Sequence, residues 1–229
     1  MIKKKIAVSI ISVVTLASVA FASDSVQTRL QQSTDVLQAM THMDDKGIPE
    51  DTLHKAICVI VIPNQKTGGF IIGGKYGKGF ISCRRQNGVG WTAPGAMRIE
   101  GGSFGLLIGG AEKDLILLVM NKEGAQKLLA DKFTIGTDAT AAAGPVGRTA
   151  AAETDAQLTA GILTYSRARG AFAGVAFTSG TLRQDLDDNE ALYGSRIGNK
   201  ELMTGTVKVP AAAEGFIKSL DAISNTREK

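Results

Sequence analysis

Gly69, Gly74 and Lys75 fit G-x-x-x-x-G-K, the spacing with which a glycine-rich loop offers backbone N–H groups to phosphate. The position that should carry a small hydroxyl for a magnesium ion is Tyr76, and Phe70, Ile71 and Ile72 fill the part that should turn. Gly77 to Ser82 continues as strand where a helix should start, so GGFIIGGKYGKGF, residues 68–80, reads as a glycine-rich hairpin and nucleotide binding is not expected. Gly101-Gly102-Ser103-Phe104-Gly105 fits G-x-S-x-G, whose serine acts as a nucleophile only on a sharp strand-to-helix turn. Leu106 to Ile108 look like strand instead, and both histidines, His42 and His54, precede Ser103, so hydrolase chemistry is not expected either. Asp44-Asp45 and Asp187-Asp188 lack the alternating ligands of a calcium loop and read as solvated turns or helix caps. No metal, cofactor or catalytic set emerges, and the expectation is a protein that is not an enzyme.

Basic residues beside glycine-rich turns offer a different chemistry: Lys75, Lys78, Arg84, Arg85, Arg148, Arg167 and Arg169. Arg167 and Arg169, two apart on a strand, share a face, and guanidinium groups grip phosphate through paired N–H donors. These seven are candidates for anionic head groups. Charges of this kind also occur on sheet edges simply to block edge-to-edge pairing. Cys58 and Cys83 admit two readings. A disulfide would close a loop of about 25 residues and contribute on the order of 3 kcal/mol in the chain-entropy model; alternatively they are buried thiols on neighbouring strands, since Cys58 lies in the apolar run ICVIVI.

These residues sit in a chain that opens with Lys3-Lys4-Lys5, an apolar stretch from Ile6 to Val19, and Ala20-Phe21-Ala22. That is the pattern of a secretory signal peptide, residues 1–22, cleaved after Ala22. No cysteine follows the cut, so a lipid anchor is not indicated and the expected location is periplasmic or secreted. Three of the 26 Lys and Arg residues lie in this leader, leaving 23 against 22 Asp and Glu. A nearly neutral, exported protein is a poor nucleic-acid binder. The remainder, residues 23–229, has no Pro- or Ser-rich linker and reads as one domain.

Val26, Leu30, Leu37 and Met40 recur at helical intervals, predicting an amphipathic helix over about 24–43, capped by Ser23 or Asp24. A short helix follows at Pro49. Strands are expected at 57–62, 69–74, 78–83, 103–110 and 115–120, with a turn at Asn87-Gly88. Fourteen of the 27 glycines fall between residues 68 and 110, which favours bulges and close sheet packing. The wholly apolar ICVIVI and LILLVM imply strands covered on both faces. EGAQKLLADK and DDNEALYG read as helices, AGILTYSRA and GAFAGVAF as strands, and about 211–224 as a closing helix; the breakers in 137–155 rule out one continuous helix there. GGFIIGG and GGSFGLLIGG echo each other without establishing a repeat. The fold expected is α+β: a glycine-rich, mainly antiparallel sheet or sandwich flanked by N- and C-terminal helices.

Trp91 with Pro94, the GGSFG block, AAGPVGR at 142–148 and YSRARGAFAG at 165–174 occur in one order over roughly Leu53 to Gly205. Together they resemble the SYLF domain, a lipid-binding family of bacteria and eukaryotes. The resemblance implies a non-catalytic phospholipid-binding domain. Bacterial relatives are exported or lipid-anchored envelope proteins, whereas eukaryotic ones are associated with phosphoinositides, membrane remodelling and, in fungi, actin. Arg148, Arg167 and Arg169 match family motifs. Eukaryotic members place a basic amphipathic helix ahead of the domain; here 24–45 carries four aspartates against Arg29, so electrostatic attraction to anionic lipid is not expected of it. Docking of its apolar face on the domain is favoured over insertion into lipid. Actin is an unlikely partner for an exported protein, and the alternative to a phospholipid surface is an envelope protein bound through a sheet edge or apolar patch.

Overall fold

Two long strands dominate the computed structural model, which describes residues 25–43, 47–130, 132–146, 160–168, 171–172 and 180–224. The expected leader, residues 1–22, lies outside these. β1 (Cys58–Cys83) and β2 (Gly95–Val119) pair antiparallel from Cys58 opposite Val119 to Ile81 opposite Gly95. The connection between them turns where Asn87-Gly88 predicts, the Gly88 amide donating to the Arg85 carbonyl at 2.8 Å with Gly88 at φ 78°. Three separate strands are expected within 57–83, and one continuous strand is found. The stretch 68–80 is therefore not a hairpin but the middle of β1, because glycines let a strand bulge and coil without reversing it. Register shifts after Ile62 and Phe70 are where it does so. The two echoing glycine segments are partners across the ribbon: Gly69 faces Gly109, Gly73 faces Ser103 and Gly74 faces Gly102.

A straight strand of this length would span roughly 85 Å. Yet Cys58 and Cys83, its two ends, are joined by a disulfide with Cα atoms 3.9 Å apart, so β1 folds back against itself. The Arg84 amide donates to the Ile57 carbonyl at 2.8 Å. Where the halves meet, a Cβ on Gly79 would lie 1.9 Å from the Val61 carbonyl oxygen and one on Gly77 would lie 2.8 Å from Ile62. Glycine is required there by the close approach of backbone. Reducing the bridge, or the pair Cys58→Ala/Cys83→Ala, is expected to remove about 3 kcal/mol of stability, read as a lower urea midpoint. Equal midpoints for oxidised and reduced protein would refute this.

The other strands add to the ribbon along the outer edge of β2. The order is β3 (Phe133–Ile135), β7 (Gly180–Gln184), β2, β5 (Ile162–Ala168), β4 (Ala141–Ala143), with β1 on β2 and β6 (Ala171–Phe172) on β5. Every pairing is antiparallel except β4 with β5, and the sheet is nearly barrel-shaped. β3, β4 and β7 are not foreseen from the sequence, being too short to show a period.

Alternation along β1 divides the core as the apolar runs require. Cys58, Ile60 and Ile62 join Ile81, Met97, Ile99, Leu115, Leu117 and Leu182 in a cluster drawn mostly from strands and enclosed by the sheet's own curl. Val59 and Val61 point the other way, into a cluster shared with helices. Those helices are α1 (Val26–Thr41), α2 (Glu50–Lys55) and α6 (Glu214–Ile223), the last preceded by a 3-10 turn at Ala211–Ala213. Ser25 caps α1 by accepting from the Thr28 amide, and Val26, Leu30, Val36, Leu37 and Met40 are all buried. The apolar face of α1 is docked on the domain.

Three small helices complete the chain: α3 (Lys122–Leu128), α4 (Leu186–Tyr193) and α5 (Asn199–Leu202), the last also unforeseen. Asp185 caps α4 and Gly194, at φ 72°, ends it. Asn189 and Asn199 satisfy both backbone groups of buried Ala96, Asn189 Oδ1 accepting from its amide at 2.7 Å and Asn199 Nδ2 donating to its carbonyl at 3.0 Å. Gly144 lies under Tyr165, whose ring stands 1.9 Å from where a Cβ would be. That contact ties the AAGPVGR and YSRARG motifs together as packing partners.

Candidate functional site

The basic residues singled out in the sequence separate into three environments. Lys78 stands on β1 beneath α4 with its ammonium 2.7 Å from Asp185 and 3.2 Å from Asp188, while Arg29 of α1 reaches the same Asp188 oxygen at 2.5 Å. Burial lowers the Lys78 pKa, but the two carboxylates outweigh it and the net value is raised. Burial likewise raises Asp185, and contact with Lys78, the Asp188 amide and the charge of Arg98 overcome it, leaving Asp185 below the usual carboxylate range. This cluster locks α1 and α4 to the ribbon. In this arrangement the Lys78 charge is spent internally.

Arg84 is buried beyond the disulfide. It donates to the Ser224 carbonyl at 2.6 Å, to the Ser224 hydroxyl and to the Leu53 carbonyl at 3.3 Å, and its guanidinium lies 4.1 Å over the Trp91 ring. Arg85 donates to the Trp91 carbonyl at 3.0 Å. Arg167 donates through Nε and Nη2 to one oxygen of Asp114, at 3.1 and 2.8 Å, from the facing position on β2. Arg148 and Arg169 lie outside the described residues.

The third environment is the glycine-rich middle of the ribbon. Alternation places Lys75 on the same face as Gly77, Gly79 and Ile81, and Lys113 on the same face as Leu115, Leu117 and Val119. Both lysines therefore follow directly after the apolar cluster inside the curl. Burial, and then the charge of Lys113, push Lys75 below the ordinary lysine value; burial does the same to Lys113. Gln65 pairs with Lys113 across the ribbon and is wholly buried. Tyr76, on the opposite face to Lys75, is one of two large apolar side chains exposed among the described residues, the other being Val89. Lys66 is exposed beside Glu112. Between these lysines run Phe70 to Ile72 and Phe104 to Ile108, whose backbones pair as strand. Lys113 is not singled out by the sequence motifs; its signal is the alternation that leads into LILLVM.

Neither enzyme-like motif has its required backbone. Residues 69–75 and 101–105 are strand throughout, so there is no phosphate loop and no strand-to-helix elbow at Ser103. A cleft of about 340 Å³ lies near Asn121, Glu123, Lys127 and Asp138. Its polar groups serve local structure: Asn121 caps α3, Lys127 pairs with Glu123 at 2.7 Å, and Asp138 accepts from the Thr134 amide at 2.5 Å. Among the described residues no cluster of His, Cys, Asp and Glu could hold a metal ion, and no helix is long and apolar enough to cross a membrane.

Residues 100–223 match the family model Ysc84, described as Las17-binding protein actin regulator. The chain is 30% identical over 182 residues to Protein YSC84 of Saccharomyces cerevisiae, covering 78% of this chain and 38% of that one. An SH3 domain-containing protein of Schizosaccharomyces pombe is 33% identical over 178 residues, 76% of this chain and 41% of its own length. The human SH3 domain-containing YSC84-like protein 1 is 30% identical over 186 residues, 80% of this chain and 54% of its own length. The chain thus spans between about two fifths and about half of these relatives. With more than half of its residues inside the family model, the chain belongs to the Ysc84 family of SYLF-domain proteins.

Proposed function

We propose that the protein is an exported, non-enzymatic module that binds the surface of an anionic phospholipid membrane through the glycine-rich middle of its β1–β2 ribbon. The observation that carries this reading is the gathering of Lys66, Lys75, Lys113 and the exposed ring of Tyr76, with Glu112 beside Lys66, around one bend whose sequence is mostly glycine and large apolar residues. Lysines attract anionic lipid, and tyrosine suits the boundary between head group and acyl chain. α1 cannot serve as the membrane helix while its apolar face is packed on the sheet. The signal-like leader and the Cys58–Cys83 bridge support export to an oxidising compartment.

The family description names Las17 and actin; in this reading of an exported chain, actin is an unlikely partner. An envelope protein bound by strand addition is the second reading. β3 and β4 are edges of three residues each, so the edge it would use is that of β1, whose strand partner among the described residues is β2 alone. Flotation of the purified protein with neutral phosphatidylcholine vesicles and with vesicles containing phosphatidylglycerol, at low and moderate salt, tests the proposal. Salt-sensitive recovery with the anionic vesicles alone is expected, weakening as ionic strength shortens the Debye length from about 30 to 10 Å. Absence from both floating fractions would reject membrane binding.

A further inference from the structure

On the outer face of the sheet, Phe80 of β1 and its partner Ala96 of β2 belong to the cluster shared with the helices. Two positions further along, Lys78, Arg98 and Arg183 stand in one row across β1, β2 and β7. The next row on the same face is Tyr76, Glu100, Thr181 and Thr134, across β1, β2, β7 and β3. α1 and α4 reach this face at Lys78, through Arg29 and Asp188. Beyond it the cover ends: Arg98, Glu100, Arg183, Thr181 and Thr134 are all partly exposed, and Tyr76 is 47% exposed. Like charges directly opposite one another destabilise a sheet, so a row of three cations needs counter-charge. Lys78 has two carboxylates, Asp185 and Asp188. Arg98 and Arg183 share one. Arg98 donates through Nε to Glu100 Oε1 at 2.7 Å, and Arg183 Nε stands 3.7 Å from the other oxygen, too far for a hydrogen bond. Asp185 adds only the reach of its charge to Arg98. The Nη groups of both arginines have no hydrogen-bond partner among the described residues.

We propose that this outer face is the side that lies against the membrane, the Arg98 and Arg183 guanidinium groups donating to phosphates of anionic phospholipid head groups in place of Glu100, with Tyr76 beside them at head-group level. This rests on the membrane-binding reading above and adds to it the face that meets the lipid. A guanidinium offers phosphate two parallel N–H donors, and the free Nη groups are the ones that such a contact needs. Glu100 holds the pair only loosely, because an ion pair open to water contributes little and one carboxylate cannot satisfy two guanidinium groups. Exchanging it for phosphate therefore costs little and relieves the facing cations. Two features make the occupant a lipid surface. The row is open to water, so a single dissolved phosphate would meet it from one side only, whereas a membrane brings a plane of phosphates to both arginines at once. Tyr76 is the other feature: its exposed ring shares the face, suits the boundary between head groups and acyl chains, and leads through the paired Gly74 and Gly102 into the bend.

The test measures partitioning onto vesicles of phosphatidylcholine with phosphatidylglycerol for the wild type and two pairs of variants. Arg98→Gln/Arg183→Gln is compared with Lys127→Gln/Lys218→Gln, which removes the same charge from two exposed helix pairs. The arginine variant is expected to keep the wild-type Tm, since facing like charges are removed, and to lose about tenfold in partitioning, while the lysine control loses less than about twofold. Glu100→Gln is compared with Glu214→Gln, which removes an exposed carboxylate from a helix pair. Freeing both arginines is expected to strengthen binding in Glu100→Gln by about threefold or more, with little change in Glu214→Gln. This second arm decides the matter if the arginine variant loses stability. Wild-type partitioning by the arginine variant, or a Glu100→Gln protein that binds no better than Glu214→Gln, would overturn this face as the contact and leave membrane binding through the bend intact. No partitioning of the wild type would overturn both.

Discussion

Asp188→Ala is expected to lower the unfolding free energy by about 3–5 kcal/mol, the usual cost of stranding a buried charge by removing its partner. One carboxylate oxygen receives both Arg29, 9% exposed, and Lys78, 26% exposed. Without it Lys78 keeps Asp185, which already serves as the cap of α4, and Arg29 loses its ion pair with α4. The loss should appear as a lower urea midpoint and as loosening of α1, whose link to α4 runs through this contact. A loss under 1 kcal/mol would mean that water enters and screens the cluster. The sign of the pH dependence follows from Asp185, whose folded pKa is depressed. Its contribution is fully present above the unfolded value near 3.9 and disappears as pH falls through the lower folded value. Acid unfolding of the wild type is thus expected to steepen below about pH 4, and Asp185→Asn should flatten that limb.

Arg84→Ala has the next largest expected effect, about 3 kcal/mol. Hydrogen bonds from a charged donor are worth roughly 1.5–3 kcal/mol each, and truncation removes those to the Ser224 and Leu53 carbonyls. The Trp91 indole also donates to the Ser224 carbonyl, at 2.9 Å, and loses the cation over its ring. The end of α6 should therefore detach before the sheet unfolds, with Trp91 fluorescence reporting an early transition. Arg84→Lys should recover little, because a single ammonium cannot reach acceptors on two elements as the planar fork does. Full recovery by lysine would contradict this geometry.

Much of this fold is legible residue by residue. The 3.6-residue spacing of Val26, Leu30, Leu37 and Met40 predicts α1, and the unbroken apolar runs at 57–62 and 115–120 predict strands covered on both faces. The Asn87-Gly88 turn and the Gly194 stop are local chemistry and appear where local chemistry puts them. What local patterns miss is long-range. Nothing within 68–80 distinguishes a hairpin from a strand that bends, because glycine permits both; the disulfide and the contact of Gly79 with Val61 decide it. The site shows the same division. Arg84, Arg167 and Lys78 are basic residues near turns, but their partners, Ser224, Asp114 and Asp188, are 140, 53 and 110 residues away. Lys113 gains its place from a register that pairs it with Gln65 and from a fold that turns the ribbon back on itself.

The most direct test of membrane contact through the bend is amide hydrogen exchange of the protein with and without vesicles containing phosphatidylglycerol. The account predicts added protection in residues 66–75 and 101–113, with exchange in α1, residues 26–41, unchanged because that helix stays docked. Protection confined to α1, or none anywhere on the ribbon while the protein is vesicle-bound, would contradict it.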